Sequence, residues 1–226
     1  MQKQKITEWI KRIIIYILGM FIIALGVNVA KKSALGISPN NAVPFVLAGN
    51  FPQITTGDWV SIVFSLFVLL QWLILGKDFK WYYIFQFVIS FIFGRFVNWS
   101  VFLVPNISGI FLQITYIILS TFLIALGIIL YLAPNIMSMP AEGVAQALAK
   151  RTKKPLSACK MAFDVFLTLT ALLLSFIFFG EIREIGVGTI ILAFGVGYVI
   201  KLLNKAIKHP IQKFLYGKGK SKAKKN

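Results

Sequence analysis

The chain has 226 residues, of which 58% are apolar, with 21 phenylalanines, a mean hydropathy of +0.81 and a formal net charge of +17. Hydropathy this high along the whole length exceeds what a soluble domain needs for its core, so lipid is the main solvent and no separate extramembrane domain fits. The single cysteine, Cys159, excludes an internal disulfide and a cysteine metal cluster, and reads as a small apolar filler.

A helix needs about 20 mostly apolar residues to cross about 30 Å of hydrocarbon. The first stretch that qualifies is 13–30, preceded by Lys3, Lys5, Lys11 and Arg12. These charges resemble the start of a secretory signal, but no small-x-small cleavage pattern precedes Lys31, and the stretch reads as a span. The segment GISPNNAVPFVLAGN (36–50) follows and is too apolar for an ordinary loop. A helix from Pro39 to Asn50 would be only about 18 Å long, so it lies at the interface or dips in and returns. Proline is favoured at the first helical position, where its missing N–H would be unpaired anyway, and Ser38 is placed to cap the helix through its hydroxyl.

The second and third spans are 59–76 and 81–103. Arg95 lies within the third, where a charge at a helix centre costs about 2.5–3.5 kcal/mol; it sits in the outer half, from which its long stem can snorkel. The fourth span, 111–132, leads into MSMPAEGVAQALAKR (137–151), a second short helix that begins at Pro140 with Glu142 in its first turn. Its amphipathic pattern also fits a helix lying flat at the interface. The fifth span, 157–179, holds Asp164, with Lys160 one turn earlier on the same face; a local ion pair is the structural alternative to a functional carboxylate. The sixth span, 185–204, is followed by a basic tail, 205–226, ending KGKSKAKKN.

Positive charge alternates with the spans. Nineteen of the 24 Lys and Arg residues fall on the side of the termini, and only Lys31, Lys32 and Arg183 fall on the other. The asymmetry predicts cytoplasmic termini and explains the tail as a topology signal that attracts anionic lipid, rather than a nucleic-acid site. Tryptophans agree: Trp59 and Trp99 fall at the outer ends of their spans, Trp72 and Trp81 near the inner ends, and Trp9 just inside.

FIIALG (21–26) and FLIALG (122–127) are offset by 101 residues, and the same offset pairs Pro39 with Pro140, Val43 with Val144, Leu47 with Leu148 and Phe93-Gly94 with Phe194-Gly195. The predicted fold is therefore an all-α membrane domain of six transmembrane helices in two repeats, 13–103 and 114–204. Each repeat holds three spans with a short broken or interfacial helix after its first. An odd span number inverts the second repeat. Glycines at equivalent positions lead to the expectation that spans one, three, four and six form the interface between halves. Inverted repeats with interrupted segments are typical of secondary transporters, whose substrate binds near the midplane. The candidate substrate-binding residues are Ser38, Asn40, Asn41, Glu142, Asp164 and Arg95. Asp164, together with Glu142, is expected to sense charge by accepting a proton or a cationic group. The reading asks for no cofactor and no metal. The expected partners are an anionic bilayer and a small solute of unassigned identity, and proton coupling and homo-oligomerisation are compatible with it.

An enzyme is disfavoured: the only histidine, His209, lies beyond the last span, and HExxH and paired catalytic-Asp motifs are absent. The alternatives are a subunit of a multi-component transporter and a lipid-handling or regulatory membrane protein. ALGISP (34–39) and MPAEGVAQALAKRTKKPLSACKMAFDV (139–165) resemble the YczE/YyaS/YitT-type family of small bacterial multipass membrane proteins. The resemblance covers most of the chain. It implies a bacterial plasma-membrane protein without an assigned activity, points to Gly36, Pro39, Pro140, Glu142, Gly143 and Asp164 as family features, and supplies no catalytic residue.

Overall fold

The computed structural model describes residues 2–220 as an all-helical protein. Its elements are α1 (Gln2–Ser33), α2 (Pro39–Asn50), α3 (Thr56–Leu75), α4 (Phe85–Ser100), α5 (Ile110–Leu132), α6 (Pro140–Thr152), α7 (Leu156–Phe179) and α8 (Val187–Lys220), with 3₁₀ turns at Gly76–Asp78, Trp81–Ile84 and Val101–Leu103. Among the described residues six helices are long and apolar enough to cross a membrane. Large side chains on them point outward, with Phe102 87% and Leu73 69% exposed. Water would penalise that surface; hydrocarbon does not. This is a multipass membrane protein.

Helix boundaries follow local chemistry. Both short helices start on proline after an extended residue: Ser38 has φ −64° and ψ 146°, and Met139 has φ −67° and ψ 157°. Ser38 occupies the cap position, but its hydroxyl does not bond the helix backbone, which corrects the expected cap. Instead the Ser38 hydroxyl accepts from Asn41 Nδ2 at 3.0 Å. Pro44 inside α2 lacks the N–H that the Asn40 carbonyl would otherwise receive. α3 has a side-chain cap, with Thr55 Oγ1 accepting from Asp58 N at 3.2 Å. The third span begins and ends in 3₁₀ turns, so its α-helical part is shorter than 81–103.

The centre of the molecule is the antiparallel pair α1 and α5. Small residues let the backbones approach: Gly127 faces the Gly19 carbonyl, and Ser120 Oγ donates to the Gly26 carbonyl at 2.8 Å. α4 packs on α1, where Asn28 Nδ2 donates to the Val97 carbonyl and to Ser100 Oγ, both at 2.8 Å; α8 packs on α5 through Gly188 against Ile117 and Gly195 against Thr121. The short helices cross over, α2 lying along α7 and α6 along α3. Segments 13–103 and 114–204 are thus joined chiefly by α1 on α5 and by these two crossed pairs. The expectation that the third and sixth spans share that interface is corrected, because α4 turns Gly94 onto Gly57 of α3 and α8 turns Gly188 and Gly195 onto α5, each within its own segment. An aromatic core fills the space beneath, with Phe64 stacked on Phe93 at 5.5 Å and Phe67 meeting Phe163 edge to face at 5.3 Å.

The tail also differs from its reading as a simple charged extension. α8 continues to Lys220, because Leu215 is buried and the Tyr216 hydroxyl donates to the Pro134 carbonyl at 3.0 Å. Residues 221–226 of the basic tail and the side chain of His209 lie outside the described residues.

Candidate functional site

Two pinned segments aim the short helices inward. The chain between α1 and α2 is tied to the start of α8: Ile37 N donates to the Glu184 carbonyl at 3.0 Å and Gly188 N donates to the Leu35 carbonyl at 2.7 Å. Gly36 sits at φ +111°, and a Cβ there would lie 2.6 Å from both Gly186 N and Thr189 Oγ1, so only glycine fits. Pro39 is thereby delivered beside α7 and α8. On the other side Arg12 donates to the Pro134 carbonyl at 2.8 Å, and the Tyr16 hydroxyl to the Met137 carbonyl at 3.2 Å. Gln71 Nε2 then holds the start of α6 through the Pro140 carbonyl at 3.2 Å while donating to Gln86 Oε1 at 2.7 Å. Gly143 lies against the Gln71 side chain with no room for a Cβ. α6 can nest there only because residue 143 has none.

The two tips meet at a central cavity of about 330 Å³. Ser38, Asn40 and Asn41 line it from α2, Glu142 from α6, and Lys160 and Asp164 from α7. All six spans contribute walls, among them Val27, Phe64, Phe93, Ile124 and Leu192. The volume is in the range of small-molecule sites, and the mixture of apolar walls with a few convergent polar groups is their usual chemistry. Five of the six candidate residues therefore share one space.

Arg95 is the sixth and does not. It pairs with Asp58 of α3 and lies 5.0 Å over the Phe91 ring, away from the cavity. The cause is a contact of glycines: Gly57 and Gly94 touch so closely that neither could carry a Cβ, and the next residue of each, Asp58 and Arg95, become neighbours.

Inside the cavity Lys160 Nζ donates to Asn40 Oδ1 at 3.0 Å and forms an ion pair with Asp164. The local pair foreseen between Lys160 and Asp164 is therefore present, and it is also bonded to the tip of α2. Asn41 is buried, and its Oδ1 has no partner among the described residues. Glu142 Oε2 is likewise shielded and unpartnered, and the Tyr131 hydroxyl beside it stops short of a full hydrogen bond. Burial pushes the Glu142 carboxyl above the ordinary carboxylate range, with the Lys160 charge pulling it partly back. The sequence carries no distinct signal for the second bond of Lys160 or for Tyr131, which is one of several hydroxyl-bearing residues on its span, with Thr115, Tyr116, Ser120 and Thr121. Among the described residues no three His, Cys, Asp or Glu side chains stand together as a metal-binding group. What the arrangement offers is a surplus of hydrogen-bond acceptors around one lysine.

A second cavity of about 260 Å³ adjoins the first, sharing Ile128 and Ile200, and extends past Asn135 and Asn204 to Ile211 and Gln212 on the side where the chain termini lie. On the opposite side Lys31 pairs with Glu184, and Gly188 N donates to the Leu35 carbonyl.

Residues 10–205 match a family described as "Family of unknown function (DUF6198)". The chain is also 26% identical over 216 residues to "Uncharacterized membrane protein YczE" of Bacillus subtilis (strain 168), covering 92% of this chain and 94% of the relative. No solved structure matches the chain.

Proposed function

Because the chain belongs to the family of unknown function DUF6198, we propose its activity from the site itself: a secondary-transporter-like protein that carries a small solute through the central cavity, between two inverted repeats. The observation that carries this reading is the convergence of both short-helix tips with the Lys160–Asp164 pair on one cavity walled by all six spans. Broken-helix tips of this kind supply the polar groups of many transporter sites. The repeat reading is supported by element bounds: α2 and α6 begin 101 residues apart, at Pro39 and Pro140, and α3 and α7 begin 100 apart. It is also supported by paired contacts, since the 101-residue offset converts the Gly19–Gly127 contact into that of Ser120 with Gly26. On this reading the membrane is the bacterial plasma membrane, both termini are cytoplasmic, and the adjoining second cavity is the cytoplasmic approach. No covalent step is assigned.

Accessibility tests the proposal without a known solute. With Cys159→Ala removing the native thiol, single cysteines at Ser38 and Ile128 are labelled with a membrane-impermeant maleimide in right-side-out and inverted vesicles. Carriage through the cavity predicts that Ser38→Cys reacts from both faces and that Ile128→Cys reacts faster in inverted vesicles. Reaction of Ser38→Cys from one face only would rule out alternating access.

A further inference from the structure

α3 and α4 touch through Gly57 and Gly94, whereas α7 and α8 stand apart and enclose a groove of about 420 Å³. Its walls carry Met161, Val165 and Leu169 from α7 and Ile190 and Phe194 from α8, every one more than half exposed. Side chains so exposed on spanning helices face hydrocarbon, so the groove opens sideways into the bilayer. Its inner end is formed by Pro39, Lys160, Asp164 and Ala193, which line the central cavity as well. Groove and cavity meet at these four residues, apolar on the lipid side and polar within.

The polar end holds acceptors that its neighbours leave open. Among the described residues Asn41, 4% exposed, has no donor to its Oδ1, and Glu142 Oε2 has only the Tyr131 hydroxyl beside it, short of a full hydrogen bond. Buried acceptors without donors are costly to leave so. Lys160 spends two of its three N–H donors on Asn40 and Asp164 and bonds neither of these acceptors. Two carboxylates against one lysine also leave one negative charge unmatched when Glu142 is ionised. An apolar groove beside an acceptor-rich end that becomes net-negative when Glu142 is ionised fits a chain that terminates in a cation with N–H donors.

We propose that this space binds an amphiphilic primary amine: the ammonium against Asn41, Glu142 and Asp164, the alkyl chain along the groove between α7 and α8, with entry from the bilayer. For the movement of such a molecule the assignment rests on the transport reading; for its binding it does not.

The test uses the full chain in nanodiscs and a dodecylamine carrying a diazirine on its chain, irradiated and mapped by peptide mass spectrometry. Labels are expected on Met161, Val165 or Phe194, suppressed by excess dodecylamine but not by dodecanoate or ethylamine. Asp164→Asn and Glu142→Gln should each weaken the protected labelling about tenfold or more, through loss of a charge-assisted partner. Ala193→Leu fills the junction without touching a polar group and should abolish the protected fraction, which keeps the test decisive if a carboxylate variant fails to fold. Labels spread evenly over the lipid-facing helices, equal suppression by dodecanoate, or undiminished labelling in Ala193→Leu would each overturn the assignment. Specific labelling combined with one-face access of Ser38→Cys would uphold the binding site and remove transport; two-face access with unspecific labelling would do the reverse.

Discussion

Lys160 serves two neighbours, Asn40 on α2 and Asp164 one turn along its own helix, and so ties the tip of a short helix to a carboxylate. Removing one partner of a buried pair strands the other; both side chains here keep some exposed surface, so Lys160→Met should cost about 1–3 kcal/mol, less than a fully buried pair. The double variant K160M/D164N should recover more than half of that loss, read as a double-mutant cycle in thermal unfolding. Full additivity would mean that the pair is not coupled. Glu142 gives a pH signature of definite sign. Its carboxyl is raised above the ordinary value of 4.5 by burial, so the folded chain holds that proton to higher pH than the unfolded chain. Its contribution is complete below the unfolded value, about 4.3, and is lost as pH rises through the raised folded value. Wild type should therefore lose more Tm than Glu142→Gln between about pH 4.5 and 7, and parallel melting curves would contradict it. Asp164 stands out in the sequence as an acid among Met161, Phe163, Val165 and Phe166, and Glu142 as an acid in the first turn of a short helix. Arg95 stands out too, as a charge within a span, but lies apart from the cavity beside Asp58, since its partner depends on which glycines touch.

At the level of elements, Pro39 and Pro140 announce the starts of α2 and α6, and both helices begin on those residues. Proline acts locally, through its own fixed φ and missing N–H, so its message survives without tertiary context. The Ser38 cap did not survive, because the Asn41 side chain reaches the hydroxyl first. Packing between helices is less local. Gly57 and Gly94 press backbone on backbone, so Gly94→Ala must part α3 from α4 and should lower stability by about 1–3 kcal/mol. Gly197, which has open space at its Cβ position, is the control: Gly197→Ala should leave Tm unchanged or raise it. Equal losses in the two variants would mean that helix propensity, not the close crossing, sets the cost. The crossing of α2 onto α7 and of α6 onto α3 has no signature in the periodicity of either short segment, since α2 is apolar around most of its surface and the apolar face of the amphipathic α6 does not specify which span it meets.

For the whole molecule, reporter fusions after Asn50 and after Lys154 should report opposite sides of the membrane, with the second on the side of both termini; a common location would remove the inverted arrangement. The charge asymmetry further predicts that the shared side is cytoplasmic. Six spans, two short helices and the doubled FIIALG/FLIALG pattern are readable from the chain alone, because the length of an apolar run is set by bilayer thickness and every backbone group in lipid must bond within its own helix. The closed contact of α3 with α4 and the open groove between α7 and α8 are not. Gly94 and Gly195 occupy matching places in the two segments, yet Gly94 meets Gly57 while Gly195 meets Thr121 of α5. Which neighbour a glycine touches depends on the shape of the opposing helix at that height, a property of two surfaces brought together. Only the tertiary structure therefore decided that α7 and α8 leave a groove beside the cavity while α3 and α4 close on each other.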